Sequence, residues 1–184
     1  MKKEFPRLIV ALTVTALVVG LLVAVVERIT REPIATAEAR AFTKALRGVL
    51  PPDSPTPQPV VITLNDGTTN TVYIAGKAVA IVASTPNGYG GKITLLLGFT
   101  ADDTLYGYHV LHQTETPGLG DKIKSHHFRD SLIKRNAFTT DWRVKQDGGD
   151  IDAITAATIS SRAVTDTIRS SLPLLRATRS QQQK

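Results

Sequence analysis

The chain has 184 residues, a formal net charge of +6 and no cysteine, and its length fits one domain with a tail or an anchor. Lysine and arginine are spread along the chain, which argues against nucleic-acid binding because that function needs a concentrated basic surface. The lack of cysteine excludes disulfides, thiolate metal sites and Cys-ligated iron–sulfur clusters.

The first predicted element is a membrane span. Residues 8–26 carry no charged side chain, and about 19 apolar residues are enough for an α-helix to cross the hydrocarbon core of a bilayer. A cleaved signal peptide is the alternative, but its apolar part is usually only about 7 to 15 residues long. Three basic residues precede the span and two follow it. This bias predicts a cytoplasmic N-terminus, with the rest of the chain outside the cytoplasm.

Beyond the span, residues 34–50 predict a short amphipathic helix, because apolar residues recur there at spacings of three and four. A proline-rich connector follows this helix over residues 51–59. The predicted parts of the chain are an anchor over residues 1–33, a helix and linker over 34–58, a domain over 59–173 and a polar tail over 174–184.

The domain begins with two β-branched runs, and three further apolar runs follow them. They predict strands at residues 60–64, 70–75, 78–84, 92–99 and 105–112. Asn65-Asp66-Gly67 is a strong hairpin signal between the first two, since these residues accept positive φ. Helices are predicted over residues 121–134 and 160–172, the second ending at Pro173. The fold class is therefore α+β, an antiparallel sheet with helices packed against it, tethered by a single N-terminal transmembrane helix.

The turn "ETPGLG" at residues 115–120 follows the last strand. Pro117 fixes φ, whereas Gly118 and Gly120 accept positive φ and bring backbone amides close to whatever lies opposite. Such a turn can hold an anion or the polar edge of a flat ring, with Leu119 against its face. An ordinary tight turn is the alternative, and "NGYGG" at residues 87–91 has the same two interpretations.

A second unusual run is "DAITAATISSRAV" at residues 152–164, where small residues alternate with hydroxyls at the entry to the last helix. Some of these hydroxyls are expected to cap the first free amides of that helix. The four hydroxyls near the helix entry are those of Thr155, Thr158, Ser160 and Ser161. The alternative is an anion site, because a helix N-terminus with Arg162 in its first turn attracts a phosphate.

Other chemistry has little support in the sequence. The four histidines do not form a metal-ligand set by spacing, and no G-x-S-x-G element marks a nucleophile. The acidic pair Asp102-Asp103 and the residues between Asp147 and Asp152 are typical of turns and a solvated loop. We therefore predict no metal site and no acid–base catalytic residue.

The chain resembles the covalent-FMN domain family, most closely the G subunit of the Rnf electron-transport complex. The resemblance lies in the order of four features: the span, "GYGGKI", "ETPGLGDKI" and "DAITAATISS". The resemblance implies that FMN is joined to Thr158 through a phosphoester, which a separate flavin transferase makes from FAD in a Mg-dependent reaction. It also implies a set of flavin pocket residues: Tyr89, Gly90, Glu115, Thr116, Gly118, Leu119, Gly120, Thr155, Ala156, Ala157, Ser161 and Arg162.

The sequence departs from the family pattern at Ala156, where relatives usually have glycine. A Cβ at this position disfavours positive φ and slightly crowds a phosphate or the transferase. Alanine is the smallest possible replacement, so we still expect FMN to be attached.

The function implied by the resemblance is electron carriage. The protein is expected in the bacterial inner membrane, with its FMN domain on the periplasmic side. Its partners would be the other subunits of a complex that couples ferredoxin and NAD electron transfer to ion movement. Three alternatives stay open: a C subunit of the sodium-translocating NADH:quinone reductase, a flavin-binding sensory module, and an anchored interaction domain without a cofactor.

Overall fold

The computed structural model describes residues 4–64 and 67–182 of the chain. Within them the chain divides after Phe42 into an N-terminal unit and a second unit that holds the sheet. The elements run in the order α1 (Glu4–Gly48), β1 (Gln58–Thr63), β2 (Thr69–Ala75), β3 (Ala78–Thr85), β4 (Ile93–Phe99), β5 (Leu105–His112), a 3-10 turn (Gly120–Lys124), α2 (His126–Leu132), a second 3-10 turn (Lys145–Asp147) and α3 (Thr158–Gln182).

Helix α1 contains the predicted membrane span. Its side chains over residues 8–26 are exposed, and it is long and apolar enough to cross a bilayer. The prediction of a separate helix beginning at Ile34 is wrong, because α1 continues through Pro33 to Gly48. Proline removes one backbone hydrogen bond, but the alanine-rich residues 35–41 that follow it are strong helix formers and favour continuation.

The five strands form one antiparallel sheet in the order β1-β2-β3-β4-β5, so all five predicted strands and the α+β architecture are confirmed. The β1–β2 connection is a hairpin, in which the Leu64 amide donates to the Thr68 carbonyl at 2.9 Å. Two residues predicted to form that turn, Asn65 and Asp66, lie outside the described residues.

Alternating side chains of the sheet build the main core on the face that α3 covers. Helix α3 contacts β1, β3 and β4. Its Val164 and Ile168 join a fully buried cluster with Ile81 of β3 and Leu97 of β4. The period of two in the strands and the apolar stripe of the helix therefore meet as the sequence pattern predicts.

The opposite face of the sheet is covered where α1 ends, because Leu46, Val49 and Leu50 are buried there. Gly98 of β4 and Gly107 of β5 lie opposite each other in the strand register. A Cβ built on Gly98 would lie 2.6 Å from the Val49 carbonyl carbon, and one on Gly107 would lie 3.3 Å from the Val49 Cα. The two glycines thus allow the Val49 backbone to rest directly on the sheet.

We expect Gly98→Ala to lower the free energy of unfolding by about 3 kcal/mol, because its methyl group would overlap the Val49 backbone. Gly107→Ala is the matched control, with an expected loss of only about 1 kcal/mol. Denaturant unfolding measured by the fluorescence of Trp142, the single tryptophan and a buried one, compares them. Equal stability of the two variants would contradict the proposed contact.

The segment predicted as one helix over residues 121–134 forms two short pieces, the first 3-10 turn and α2. They separate at Ser125, whose hydroxyl caps α2 by accepting the Phe128 amide at 3.3 Å. The break lets the 3-10 turn insert Ile123 into the core independently of α2.

The prediction that Pro173 ends the last helix is wrong, because α3 continues to Gln182. The two leucines after the proline are buried in the core. Burial of a leucine contributes about 1.5–3 kcal/mol, which offsets the cost of an interior proline, about 3 kcal/mol. Arg179 also secures the last turns, since its Nε donates to Asp103 Oδ1 at 2.6 Å and its other nitrogens donate to carbonyls in the β2–β3 and β4–β5 turns.

Candidate cofactor site

A cavity of about 490 Å³ lies at the N-terminus of α3, a size within the range of small-molecule sites, about 300–1,000 Å³. The fold brings to it three segments that are far apart in the sequence: the loop after β3, the turn after β5 and the residues that begin α3. The lining residues are Tyr89, Glu115, Thr116, Leu119, Gly120, Ala156, Ala157, Thr158, Ile159 and Ser160.

Glu115 links these three segments. Its side chain is buried, with only 5% of the residue exposed. One carboxylate oxygen accepts the Gly90 amide at 2.9 Å, and the other accepts the Ser160 hydroxyl. A Cβ on Gly88 would lie 2.6 Å from the first oxygen, and one on Gly120 would lie 2.6 Å from the Ser160 oxygen. Glycine at both positions therefore gives the buried carboxylate the room it needs.

The four hydroxyls at the start of α3 have different surroundings. Ser160 donates to Glu115, and buried Ser161 donates to the Ala157 carbonyl at 3.0 Å while accepting the Ile154 amide at 2.9 Å. Thr155 is exposed and does not line the cavity. Thr158 lines the cavity, is half-buried, and has no hydrogen-bond partner for its hydroxyl within residues 4–64 and 67–182. Within the described residues, none of the four hydroxyls accepts a backbone amide from the first turn of α3, so the expectation that some of them cap the helix is wrong.

The first backbone amides of α3 lie beside this hydroxyl. The first bond of the helix runs from the Ser161 amide to the Ala157 carbonyl at 3.0 Å. The amides of Thr158, Ile159 and Ser160 precede that bond and have no acceptor in the part of the chain that the structure describes. Together with the positive end of the helix dipole, these amides can bind an anion such as a phosphate.

Ala156 has a left-handed backbone, with φ of 63°. This is the conformation that favours glycine, and a Cβ in it costs about 1–2 kcal/mol. The strain lies two residues before Thr158, in the turn that directs the chain into α3. Glycine at this position would therefore fit the same backbone with less strain.

We expect Ala156→Gly to raise the free energy of unfolding by about 1 kcal/mol, because relief of the left-handed strain exceeds the added flexibility of the unfolded chain. Thermal unfolding monitored by Trp142 fluorescence would measure the gain. Gly118→Ala is the reverse control, because Gly118 has φ of 78° with open space around it. This variant should lower the free energy of unfolding by a similar amount. A lower free energy of unfolding in Ala156→Gly than in the wild type would contradict the inference that alanine is strained at this position.

Five of the predicted pocket residues do not line the cavity, namely Gly90, Gly118, Thr155, Ser161 and Arg162. Gly90 and Ser161 still support its walls through the hydrogen bonds described above. The sequence predicts that Arg162 contacts a phosphate, but its Nε and Nη2 donate to the Asp147 carboxylate at 2.6 and 2.7 Å. This hydrogen bonding holds the pKa of Asp147 below its ordinary value.

Sequence reasoning missed two lining residues. The local pattern indicates Ser160 only as a cap, because its contact with Glu115 spans 45 positions and lies beyond any local motif. Ile159 carries no motif signal, although its exposed side chain is the kind of residue that covers a flat ring. Together with exposed Tyr89 and Leu119 it gives the cavity an apolar rim.

Two titratable groups with shifted pKa values, Tyr108 and His109, lie on β5 and do not line the cavity. The Tyr108 hydroxyl donates to the Ile123 carbonyl, and burial raises the pKa of Tyr108. Burial, followed by the charges of Lys124 and Arg129, lowers the pKa of His109. Over the described ranges, no group of three or more His, Cys, Asp or Glu side chains is arranged to hold a metal ion.

Comparison with known proteins identifies the family of this domain. Residues 88–172 match the FMN-binding domain family. The chain is 38% identical over 174 residues to the G subunit of the ion-translocating oxidoreductase complex of Cereibacter sphaeroides, covering 86% of this chain and 78% of that protein. It is 36% identical over 178 residues to the corresponding G subunit of Pseudomonas aeruginosa, covering 86% and 82%.

Among solved structures, the chain is similar to the C subunit of the Na⁺-translocating NADH-quinone reductase of Parabacteroides distasonis. The TM-score is 0.47 with 24% identity, covering 57% of this chain and 60% of that chain. The two G subunits are matched over most of their length and at higher identity. The chain therefore belongs to the family of G subunits of ion-translocating oxidoreductase complexes, the Rnf type, and contains that family's FMN-binding domain.

Proposed function

We propose that the chain carries FMN covalently bound to Thr158 through a phosphoester and transfers electrons within an ion-translocating oxidoreductase complex. The observation that carries the proposal is the setting of Thr158. Its hydroxyl is the one among the four at this helix start that both lines the cavity and lacks an internal hydrogen bond within the described residues. The three open amides beside it support a phosphate at the same place.

The other lining residues suit the remaining parts of FMN. The apolar side chains of Tyr89, Leu119 and Ile159 offer surfaces for a flat ring system. Thr116 and the Glu115–Ser160 pair supply polar groups at the inner wall. When bound, FMN supplies one- and two-electron transfer, and the protein holds and orients the ring and excludes water from it.

Attachment requires a reactive hydroxyl that the transferase can reach. We propose that a separate flavin transferase uses FAD as donor. In this reaction the Thr158 oxygen would give its proton to a base of the transferase and form the new bond to phosphorus, while the phosphoanhydride bond of FAD breaks and AMP leaves. The exposed residues around Thr158, among them Thr155 and Ala156, leave this side of the turn open to a second protein.

The membrane anchor fits the same role, because it keeps an electron carrier at the surface where its partners lie. We propose that residues after the span lie on the periplasmic side and that the partners are the other subunits of the complex. A covalent tether retains the flavin outside the cytoplasm, where a lost cofactor is not easily replaced. Residues 8–26 contain no charged side chain, so this span alone offers no ion path.

Mass spectrometry of the full chain tests the proposal. Protein purified from a host that contains the flavin transferase should be yellow, stay fluorescent on a denaturing gel and carry the added mass on the peptide that contains Thr158. A colourless chain of unmodified mass would refute covalent attachment. A reporter fused after Lys184 tests the topology separately, and activity of a cytoplasm-specific reporter would refute the periplasmic assignment.

A further inference from the structure

A second cavity, of about 910 Å³, runs along the C-terminal half of α3 and shares no lining residue with the cofactor site. We call it the α3 groove. Its floor and walls come from α3, from the end of β1 and from the loop before the second 3-10 turn. Its lining includes Phe138, Trp142, Leu172 and Arg176.

The aromatic wall of the α3 groove is held in place before any partner binds. Asn136 accepts the amides of Phe138 and Thr139 at 2.9 and 3.2 Å and donates to the Asp102 carbonyl at 2.9 Å. Trp142 donates to the Ala137 carbonyl at 2.9 Å. The backbone that carries Phe138 is therefore held in place, with 37% of the residue exposed, and a pre-ordered segment loses little entropy on binding.

Among the described charged residues that line the α3 groove, Arg176 has no partner of opposite charge. Asp141 is paired with Arg143, whose Nε lies 3.0 Å from Asp141 Oδ1, and this interaction lowers the pKa of Asp141 to about 2. Arg169 is paired with Asp166 at 2.7 Å. The guanidinium of Arg176 lies 5.0 Å from the centre of the Phe138 ring and has no carboxylate partner in the described part of the chain.

An arginine held on an aromatic ring suits a carboxylate from outside, because the guanidinium can still donate in its own plane. Apolar surface beside it, from exposed Phe138 and half-buried Leu172, suits an apolar neighbour of that carboxylate. The α3 groove also borders β1, an edge strand of the sheet, where an extended segment can lie alongside the chain.

We propose that the α3 groove binds an extended segment of another subunit of the same complex, with an Asp or Glu on Arg176 and an apolar side chain on Phe138. This proposal rests on the complex membership proposed above. A concave site with one unpaired cation favours such a segment over an anionic membrane surface, which is bound by several exposed cations on a flat face.

Binding of the full chain to the rest of the complex tests the proposal. The remaining subunits, purified without this chain, are immobilised and titrated with wild-type, Arg176→Glu, Phe138→Ala and Lys122→Glu proteins. We expect Arg176→Glu to weaken the affinity by about tenfold or more, since it places like charges together in the interface. Lys122→Glu makes the same change in net charge at an exposed position outside the α3 groove and should bind like the wild type.

A photo-cross-linking residue at position 138 identifies the occupant. The expected product joins this chain to a peptide of another subunit, with Asp or Glu within a few residues of the cross-link. Equal affinity of wild type and Arg176→Glu, or cross-links only to phospholipid, would overturn the proposal while leaving the flavin assignment intact. A flavin-loaded wild-type chain that does not bind the other subunits would overturn this proposal and complex membership together.

Discussion

Thr158→Ala is expected to abolish covalent flavin. Among Thr155, Thr158, Ser160 and Ser161, Thr158 is the residue whose hydroxyl lines the cavity without an internal partner in the described residues, and alanine has no oxygen to form the phosphoester. The change removes one methyl and one hydroxyl from a half-buried position, so we expect it to alter the free energy of unfolding by less than about 1 kcal/mol. In-gel fluorescence and the mass of the intact chain measure the loss.

Two neighbouring hydroxyls provide matched controls for this substitution. Thr155→Ala should keep covalent flavin, because Thr155 lies outside the cavity. Ser161→Ala should also keep some flavin, yet lose about 1–3 kcal/mol of stability, because the Ile154 amide loses its acceptor in a buried site. A fluorescent band from Thr158→Ala would require another attachment residue.

The five strands and their antiparallel sheet could be predicted because their determinants are local. Each strand is a short run of apolar, β-branched or aromatic residues, and short turns between neighbours favour antiparallel pairing. The structure follows this, down to burial of Ile81 and Leu97 on the face that α3 covers. The two motifs of the site, at residues 115–120 and 152–164, could also be recognised in the sequence. Glycines in a turn and hydroxyls before a helix are local patterns that do not depend on distant contacts.

The errors in prediction come from tertiary contacts. Pro173 would end an isolated helix, but local sequence does not show that the leucines after it are buried or that Arg179 pairs with Asp103. The bond from Arg162 to Asp147 was not foreseen either, because that carboxylate comes 15 residues earlier and belongs to no local motif. The reason for glycine at positions 98 and 107 is the Val49 backbone packed against them, a contact that the local sequence does not indicate.

The cavity itself could not be derived from the sequence, because it depends on one buried side chain that joins distant segments. Glu115 is 25 residues from Gly90 and 45 residues from Ser160. Both partners donate to a carboxylate that is almost completely buried. These two hydrogen bonds tie the loop after β3 and the first turn of α3 to the turn after β5, and so fix the walls within which Thr158 lies.

Glu115→Ala is accordingly expected to lower the free energy of unfolding by about 3 kcal/mol, because the Gly90 amide and the Ser160 hydroxyl lose a charged acceptor and a void remains. Trp142 fluorescence during denaturant unfolding measures this loss. Covalent flavin should fall as well, since the first turn of α3 is no longer fastened to the opposite wall. Extending the transferase reaction should restore part of the flavin if the loss reflects positioning of Thr158 rather than removal of a reacting group.

Glu115→Gln separates hydrogen bonding from charge at this position. The glutamine carbonyl can accept the Gly90 amide while its NH₂ donates to Ser160, whose hydroxyl can turn and act as acceptor. We therefore expect a loss of only about 1 kcal/mol and nearly normal flavin attachment. If Glu115→Gln were as damaging as Glu115→Ala, the negative charge itself would be required. If Glu115→Ala were as stable as the wild type, the three segments would have to be held together by the apolar core alone.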